Sequence, residues 1–196
     1  AEPPPPAAPA ETAAAALDLD PDEPFVLFVA TLESRKNHLM VFQAWIALSR
    51  RLPAELLPRL VCVGRPGWGA EAALGLLERS PLLRRKVTVL SGVSDLALAG
   101  LTARCLFTLY NSFHEGWGLP VSESLAMGKL CVVPAHSGLL EAGAPGAAFF
   151  PPGDEPALVE LLARLVADPA HRAALEARID RAAATRAWSV AAAEVL

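Results

Sequence analysis

The segment EGWGLPVSE, residues 115–123, packs two carboxylates, two glycines, an aromatic residue and a proline into nine positions. Carboxylates accept hydrogen bonds from vicinal hydroxyls, in which riboses and hexoses are rich. Gly116 and Gly118 let the backbone bend sharply and bring its N–H groups, with that of Trp117, close to a ligand. Pro120 reads as the first residue of a helix with Val121, Leu125 and Ala126 facing inward, which places Glu123 in the first helical turn. A helix start attracts anions. The segment suits a sugar nucleotide, with hydroxyls on the glutamates and phosphates on the N–H groups and helix start. Taken singly, Glu123 could merely serve the helix dipole and Glu115 could be a solvated loop residue; their concentration in one short segment argues for a ligand.

A second group of polar residues follows the run FVLFVA: Thr31, Leu32, Glu33, Ser34, Arg35, Lys36 and Asn37. A dinucleotide-binding loop needs G-x-G-x-x-G here, and this loop holds no glycine, so hydride-transfer chemistry loses its main support. Arg35 and Lys36 instead stand at the start of a helix, an unfavourable place for cations unless an anion joins them. After RLVCV comes GRPGWG, residues 64–69, a tight glycine turn around Arg65 and Trp68. After VTVL comes Ser91-Gly92-Val93-Ser94-Asp95, where Ser94 or Asp95 caps a helix and ligand contact falls to the backbone.

These loops need elements to hold them. FVLFVA, RLVCVG, VTVL, CLFTLY, LCVVP and AAFF are short apolar runs bounded by turn residues, the pattern of buried parallel strands. Helical stretches separate most of them. Val41, Trp45, Leu48 and Leu52 share one helical face behind the N-cap Asn37, and Leu158, Leu161, Leu162, Leu165 and Val166 share another behind Asp154. Asp168-Pro169 opens a final helix. The alternation predicts a doubly wound α/β domain: a mostly parallel sheet of about six strands, right-handed crossovers, and ligands outside the carboxyl ends of the strands. Residues 1–22, rich in Pro and Ala and then acidic, read as a tail or linker with a helical turn near TAAAAL, and residues 23–196 as the domain.

Composition narrows the function further. Seventeen Lys and Arg against 21 Asp and Glu give a net charge of −4 over 196 residues, so no global basic field exists to hold a nucleic acid. No apolar run approaches the ~18 residues of a membrane span, and AEPPPPAAPAE has neither the basic nor the apolar region of an export signal. The opening at Ala1 rather than Met reads as a fragment or a processed chain. Cys62, Cys105 and Cys131 lie in separate apolar runs and read as buried, unpaired thiols rather than disulfide or zinc ligands. Asp18-Leu19-Asp20 forms a D-x-D pair, but in a solvated run with no pocket to hold a metal.

Together the quoted segments resemble the C-terminal, donor-binding half of the retaining family 4 glycosyltransferases of GT-B fold. Glu115 and Glu123, with seven residues between them, match the E-x7-E signature. FVATLESRKNH, VCVGRPGWG, LSGVSDLALAGL, LYNSFHEGWGLPVSESLAMGKLCVV and SGLLEAG follow in the family's order, and Trp188-Ser189 resembles the helix after this domain. The resemblance implies that Lys36 and Arg35 meet the donor diphosphate and support its departure without a metal. It implies that Glu115 touches the transferred sugar beside the N–H groups of Gly116, Trp117 and Gly118. Glu123 would hold the ribose hydroxyls, the Leu119 backbone would approach the phosphates, and Val93 would line the base. Gly64 and Arg65 are further candidates for that pocket. His38 and His114 receive no catalytic role, and His136 is placed near the donor sugar. Three positions depart from the family pattern: Ala30 stands where glycine is usual, Thr31 where many members have Arg, and Leu140 where Pro is usual.

The implied parent is a cytoplasmic hexosyltransferase of polysaccharide biosynthesis, peripheral at the inner membrane face. It would use a GDP- or UDP-linked hexose, no cofactor and no metal, and a glycan or lipid-linked acceptor held by an N-terminal domain absent here. Without that domain the chain is expected to bind donor but transfer no sugar. An alternative of another class is a catalytically silent module kept for protein–protein contact; intact Lys36, Glu115 and Glu123 speak against it. A third reading, a small-molecule-binding regulator of flavodoxin-like type, is disfavoured because this chain has no acidic phosphoacceptor cluster at the first strand.

Overall fold

Six short apolar runs pair into one all-parallel sheet: β1 (Phe25–Val29), β2 (Arg59–Val63), β3 (Val87–Leu90), β4 (Thr108–Leu109), β5 (Cys131–Pro134) and β6 (Ala148–Phe150), in the order β3-β2-β1-β4-β5-β6. The structure is a computed structural model that describes residue 20 and residues 22–185. The expected helical turn near TAAAAL, Asp18 and Leu19 of the D-x-D pair, and Trp188-Ser189 lie outside the described residues.

Alternation along the central strands feeds two cores. Val26 and Phe28 of β1, with Leu60 and Cys62 of β2, join a large cluster under α1 (His38–Leu48), α5 (Leu119–Ala126), α6 (Gly138–Gly143) and α7 (Glu155–Ala167). Phe25, Leu27, Val61 and Val63 point the other way into a smaller cluster with Leu101 and Cys105 from α4 (Asp95–Arg104) and the turn after it. Both faces of the sheet are thus covered, which is why these strands read as unbroken apolar runs. All three cysteines are free and buried.

Local chemistry sets the helix boundaries. The side chains of Asn37, Ser94, Asp154 and Asp168 accept the backbone N–H groups of Met40, Ala97, Ala157 and His171, capping α1, α4, α7 and α8 (Pro169–Glu176). Two expectations need correction. Helix α5 begins at Leu119, one residue before Pro120, with Gly118 as N-cap, so Glu123 lies beyond the first turn and has no dipole role. Helix α1 does not present a single apolar face: His38, Met40, Val41, Phe42, Ala44, Trp45 and Leu48 are all buried, because α7 covers the side turned from the sheet.

His38 is the costly residue of that helix. Its ring stacks on Phe28 at 4.2 Å and 13°, and neither ring nitrogen has a hydrogen-bond partner. Burial, aided by the Lys36 charge, lowers its pKa to about 4. The folded state therefore binds fewer protons than the unfolded state between pH 6.5 and 4, and stability falls as pH drops through that window. The loss approaches about 3 kcal/mol below both values. His38→Phe keeps the stack and removes the two orphaned nitrogens. Denaturant unfolding at pH 7 and pH 4.5 should show a variant at least as stable at pH 7 and clearly less sensitive to acid; equal acid sensitivity in both proteins would assign the effect elsewhere.

Candidate active site

The strand order reverses between β1 and β4, so the loops leaving their carboxyl ends diverge and open a crevice. Both loops are tied together at the backbone. Phe113 N–H donates to the Arg35 carbonyl at 2.8 Å, and the Ser112 hydroxyl lies between that oxygen at 3.2 Å and the His114 carbonyl at 3.0 Å, sharing its one proton. On the β1 side, Ser34–Lys36 form a single 3-10 turn, so the two cations precede α1 rather than open it. Asn37, left-handed at φ 52°, ends this turn and caps α1; Asn tolerates that conformation better than most residues.

Three donors converge on Glu115 Oε1. Lys36 Nζ lies at 2.5 Å, Arg35 Nη1 at 2.8 Å and the Tyr110 hydroxyl at 3.0 Å. Lys36 Nζ also donates to the Tyr110 oxygen and sits 5.0 Å from the centre of its ring. Arg35 spans further, to Glu33 and to the His114 carbonyl. The Lys36 and Glu115 side chains are only 11% and 12% exposed, against 48% for Arg35, so the lysine pair is the less solvent-screened of the two. Burial pushes the Glu115 carboxyl up, but the hydrogen bonds and charge of Lys36, with the Tyr110 hydroxyl, outweigh it and hold the group below the usual range. It is therefore an ionised carboxylate at neutral pH. Burial first, then the Glu115 charge, pushes the Tyr110 phenol up, so it stays protonated and donates.

This cluster lines a cavity of about 770 Å³. Arg35, Lys36, Tyr110 and Glu115 line it together with Val63, Gly64 and Arg65 after β2 and with Gly92 and Val93 after β3; Trp117, Gly118 and Leu119 complete the wall. Gly64 is required where β1 and β2 end: a Cβ there would lie 2.0 Å from the Ala30 carbonyl oxygen. Gly118 has φ 107°, a conformation side chains rarely adopt, and no side chain caps the helix that follows. The uncapped start of α5 thus brings its positive end to the cavity wall. A mostly buried lysine, an exposed arginine and a helix start in one concave site suit a diphosphate, with the carboxylate suited to hydroxyls.

Of the residues expected from sequence, Arg35, Lys36, Gly64, Arg65, Val93, Glu115, Trp117, Gly118 and Leu119 line this one cavity. Glu123 and Gly116 do not form its wall. The Glu123 carboxyl is raised by partial burial and by the Asp95 charge. His136 instead lines a second cavity of about 420 Å³ with Asn37, Asn111, Ser112, Phe113, His114 and Ser137. Sequence reasoning missed Tyr110, the only tyrosine in the chain; its place at the carboxyl end of CLFTLY was the available signal. Among the described residues no group of three or more His, Cys, Asp or Glu could hold a metal ion. No helix of the described residues is long and apolar enough to cross a membrane.

The chain is similar to known proteins in sequence and in fold. Residues 10–184 match the family model of the glycosyl transferases group 1. The chain is 34% identical over 110 residues to the serotype-specific mannosyltransferase WbdA of Escherichia coli, a match covering 56% of this chain and 13% of that protein. Sucrose-phosphate synthase from Thermosynechococcus elongatus superposes with a TM-score of 0.76 at 26% identity, over 96% of this chain and 48% of that one. Anabaena HepE, solved with UDP and glucose, has a TM-score of 0.71 at 19% identity, over 90% of this chain and 48% of that one, and supports the fold alone. The chain thus spans about half the length of these solved relatives and a smaller part of the curated one. With its single all-parallel α/β sheet, like half of a GT-B enzyme, the chain belongs to the group 1, or family 4, glycosyltransferases.

Proposed function

We propose that this domain binds a nucleoside-diphosphate hexose and forms the donor half of a retaining hexosyltransferase that works without metal. The observation that carries the reading is the convergence of Lys36, Arg35 and Glu115 in a cavity at the sheet's switch point. The diphosphate replaces Glu115 as partner of the two cations, and its outer oxygens meet the start of α5. The base extends toward Gly64, Arg65 and Val93, and Glu123 takes the ribose hydroxyls. Glu115, released from the cations in part, holds hydroxyls of the transferred sugar. When the sugar leaves, negative charge grows on the diphosphate, and cations already aimed there stabilise it electrostatically. The relative's name makes mannose the first hexose to try.

The acceptor, a glycan or a lipid-linked glycan, and the rest of the active site come from a second domain of the parent enzyme, which acts in the cytoplasm. A half-cleft leaves the reacting carbon in water and positions no acceptor. The purified chain is accordingly expected to show no sugar transfer.

Thermal shift and calorimetry with GDP, UDP, GDP-mannose and UDP-glucose, in excess EDTA, test the reading. Saturable binding of at least one nucleotide pair in EDTA is the expected result. Binding that appears only with added Mg²⁺ would refute the metal-free site, and none under either condition would refute the donor site itself.

A further inference from the structure

We propose that Ser137 is a positioning residue for Glu115, resting on the reading of Glu115 as a donor-sugar ligand. Ser137 has φ 48° and ψ −151°, in a region that glycine alone enters without strain. It precedes α6 at the N-cap position, where a serine hydroxyl normally caps its own helix, yet no such bond forms. The hydroxyl turns instead to the site. It accepts the Glu115 backbone N–H at 3.2 Å and pairs with His136 Nδ1 at 2.9 Å.

The partners fix the direction of each bond. His136 Nε2 faces the Ser112 carbonyl at 3.0 Å, and a carbonyl only accepts, so Nε2 carries the proton. In the neutral imidazole Nδ1 is then the acceptor and takes the Ser137 proton; in either protonation state the serine oxygen keeps a lone pair for the Glu115 N–H. Next door, Gly138 N–H donates to the Glu115 carbonyl at 3.1 Å. A Cβ on Gly138 would lie 2.3 Å from the Gly116 carbonyl oxygen, so the two loops touch at the backbone. Both sides of the Glu115 residue are thus held by residues 137–138, and the strained backbone of Ser137 is the geometry that brings its hydroxyl there. A serine at this place costs stability that glycine would not, and in return gives Glu115 a hydrogen bond.

Two variants separate positioning from simple folding. Ser137→Gly removes the hydroxyl and relieves the strain; Ser137→Ala removes the hydroxyl and keeps the strain. Calorimetry with UDP, UDP-glucose, GDP and GDP-mannose on the 196-residue chain, paired with melting curves, reads both effects. Both variants are expected to lose about three- to tenfold of the extra affinity that the sugar adds, the range of one neutral hydrogen bond, with free nucleotide affinity unchanged. Ser137→Gly should melt about 2–4 °C higher than the native chain, and Ser137→Ala should not. Variants that keep the native preference for the sugar-bearing ligand, or whose affinities simply follow their melting temperatures, overturn the proposal while leaving the donor site standing. A native chain that binds none of the four ligands overturns the donor reading and this proposal with it.

Discussion

Lys36→Ala should lower the affinity of the domain for a nucleoside diphosphate about a hundredfold. A hydrogen bond to a charged group is worth roughly 1.5–3 kcal/mol, and the ammonium adds its Coulomb attraction in a cavity less screened than bulk water. Exposure decides which cation dominates: the Lys36 side chain is 11% exposed and the Arg35 side chain 48%. Arg35→Ala should therefore cost less than about tenfold, because water competes for an exposed guanidinium. The fold should survive Lys36→Ala, since Arg35 and Tyr110 still hold Glu115. Titration of GDP and UDP at low and high salt measures the effect. Equal small losses for both cations would move the diphosphate away from this cluster.

The second large effect separates the two carboxylates. Glu123→Ala should weaken free and sugar-bearing nucleotides alike, by about one to two decades before water compensates, because every one of these ligands carries the same ribose. Glu115→Gln should do something different. In the free protein Glu115 occupies both cations, so neutralising it removes a competitor for the incoming diphosphate. Affinity for GDP or UDP should hold or rise, while the increment due to the sugar is lost. Equal losses for both kinds of ligand in both variants would refute this division of labour. No loss in either would return both side chains to ordinary solvent-facing roles.

The fold was legible wherever a local cause acts alone. Apolar runs marked all six strands, and Asn37, Ser94, Asp154 and Asp168 marked helix starts through their own side chains. Helices α2 (Glu71–Arg79) and α3 (Pro81–Lys86) were harder to see, for each buries a single residue, Ala73 and Leu83 respectively. CLFTLY reads as a longer strand than β4, and the backbone bears part of that out: Leu106 and Phe107 bond to β1 before Thr108–Leu109, and Tyr110 bonds to β5 after it. In the site, the cations and the glycine-rich segment were visible as residue types at loop positions. Their pairing was not, since Lys36 and Glu115 are 79 residues apart and meet only through the reversal of strand order. Tyr110 and Ser137 carried no spacing signal: one looks like the end of an apolar strand, the other like an ordinary cap.

A structure of the domain with a nucleoside diphosphate tests the central claim most directly. The account predicts the diphosphate on Lys36 and Arg35 at the start of α5, the base between the Gly64–Arg65 and Gly92–Val93 loops, and Glu115 drawn off at least one cation. A nucleotide bound elsewhere, with the Lys36–Glu115 pair intact, would contradict it.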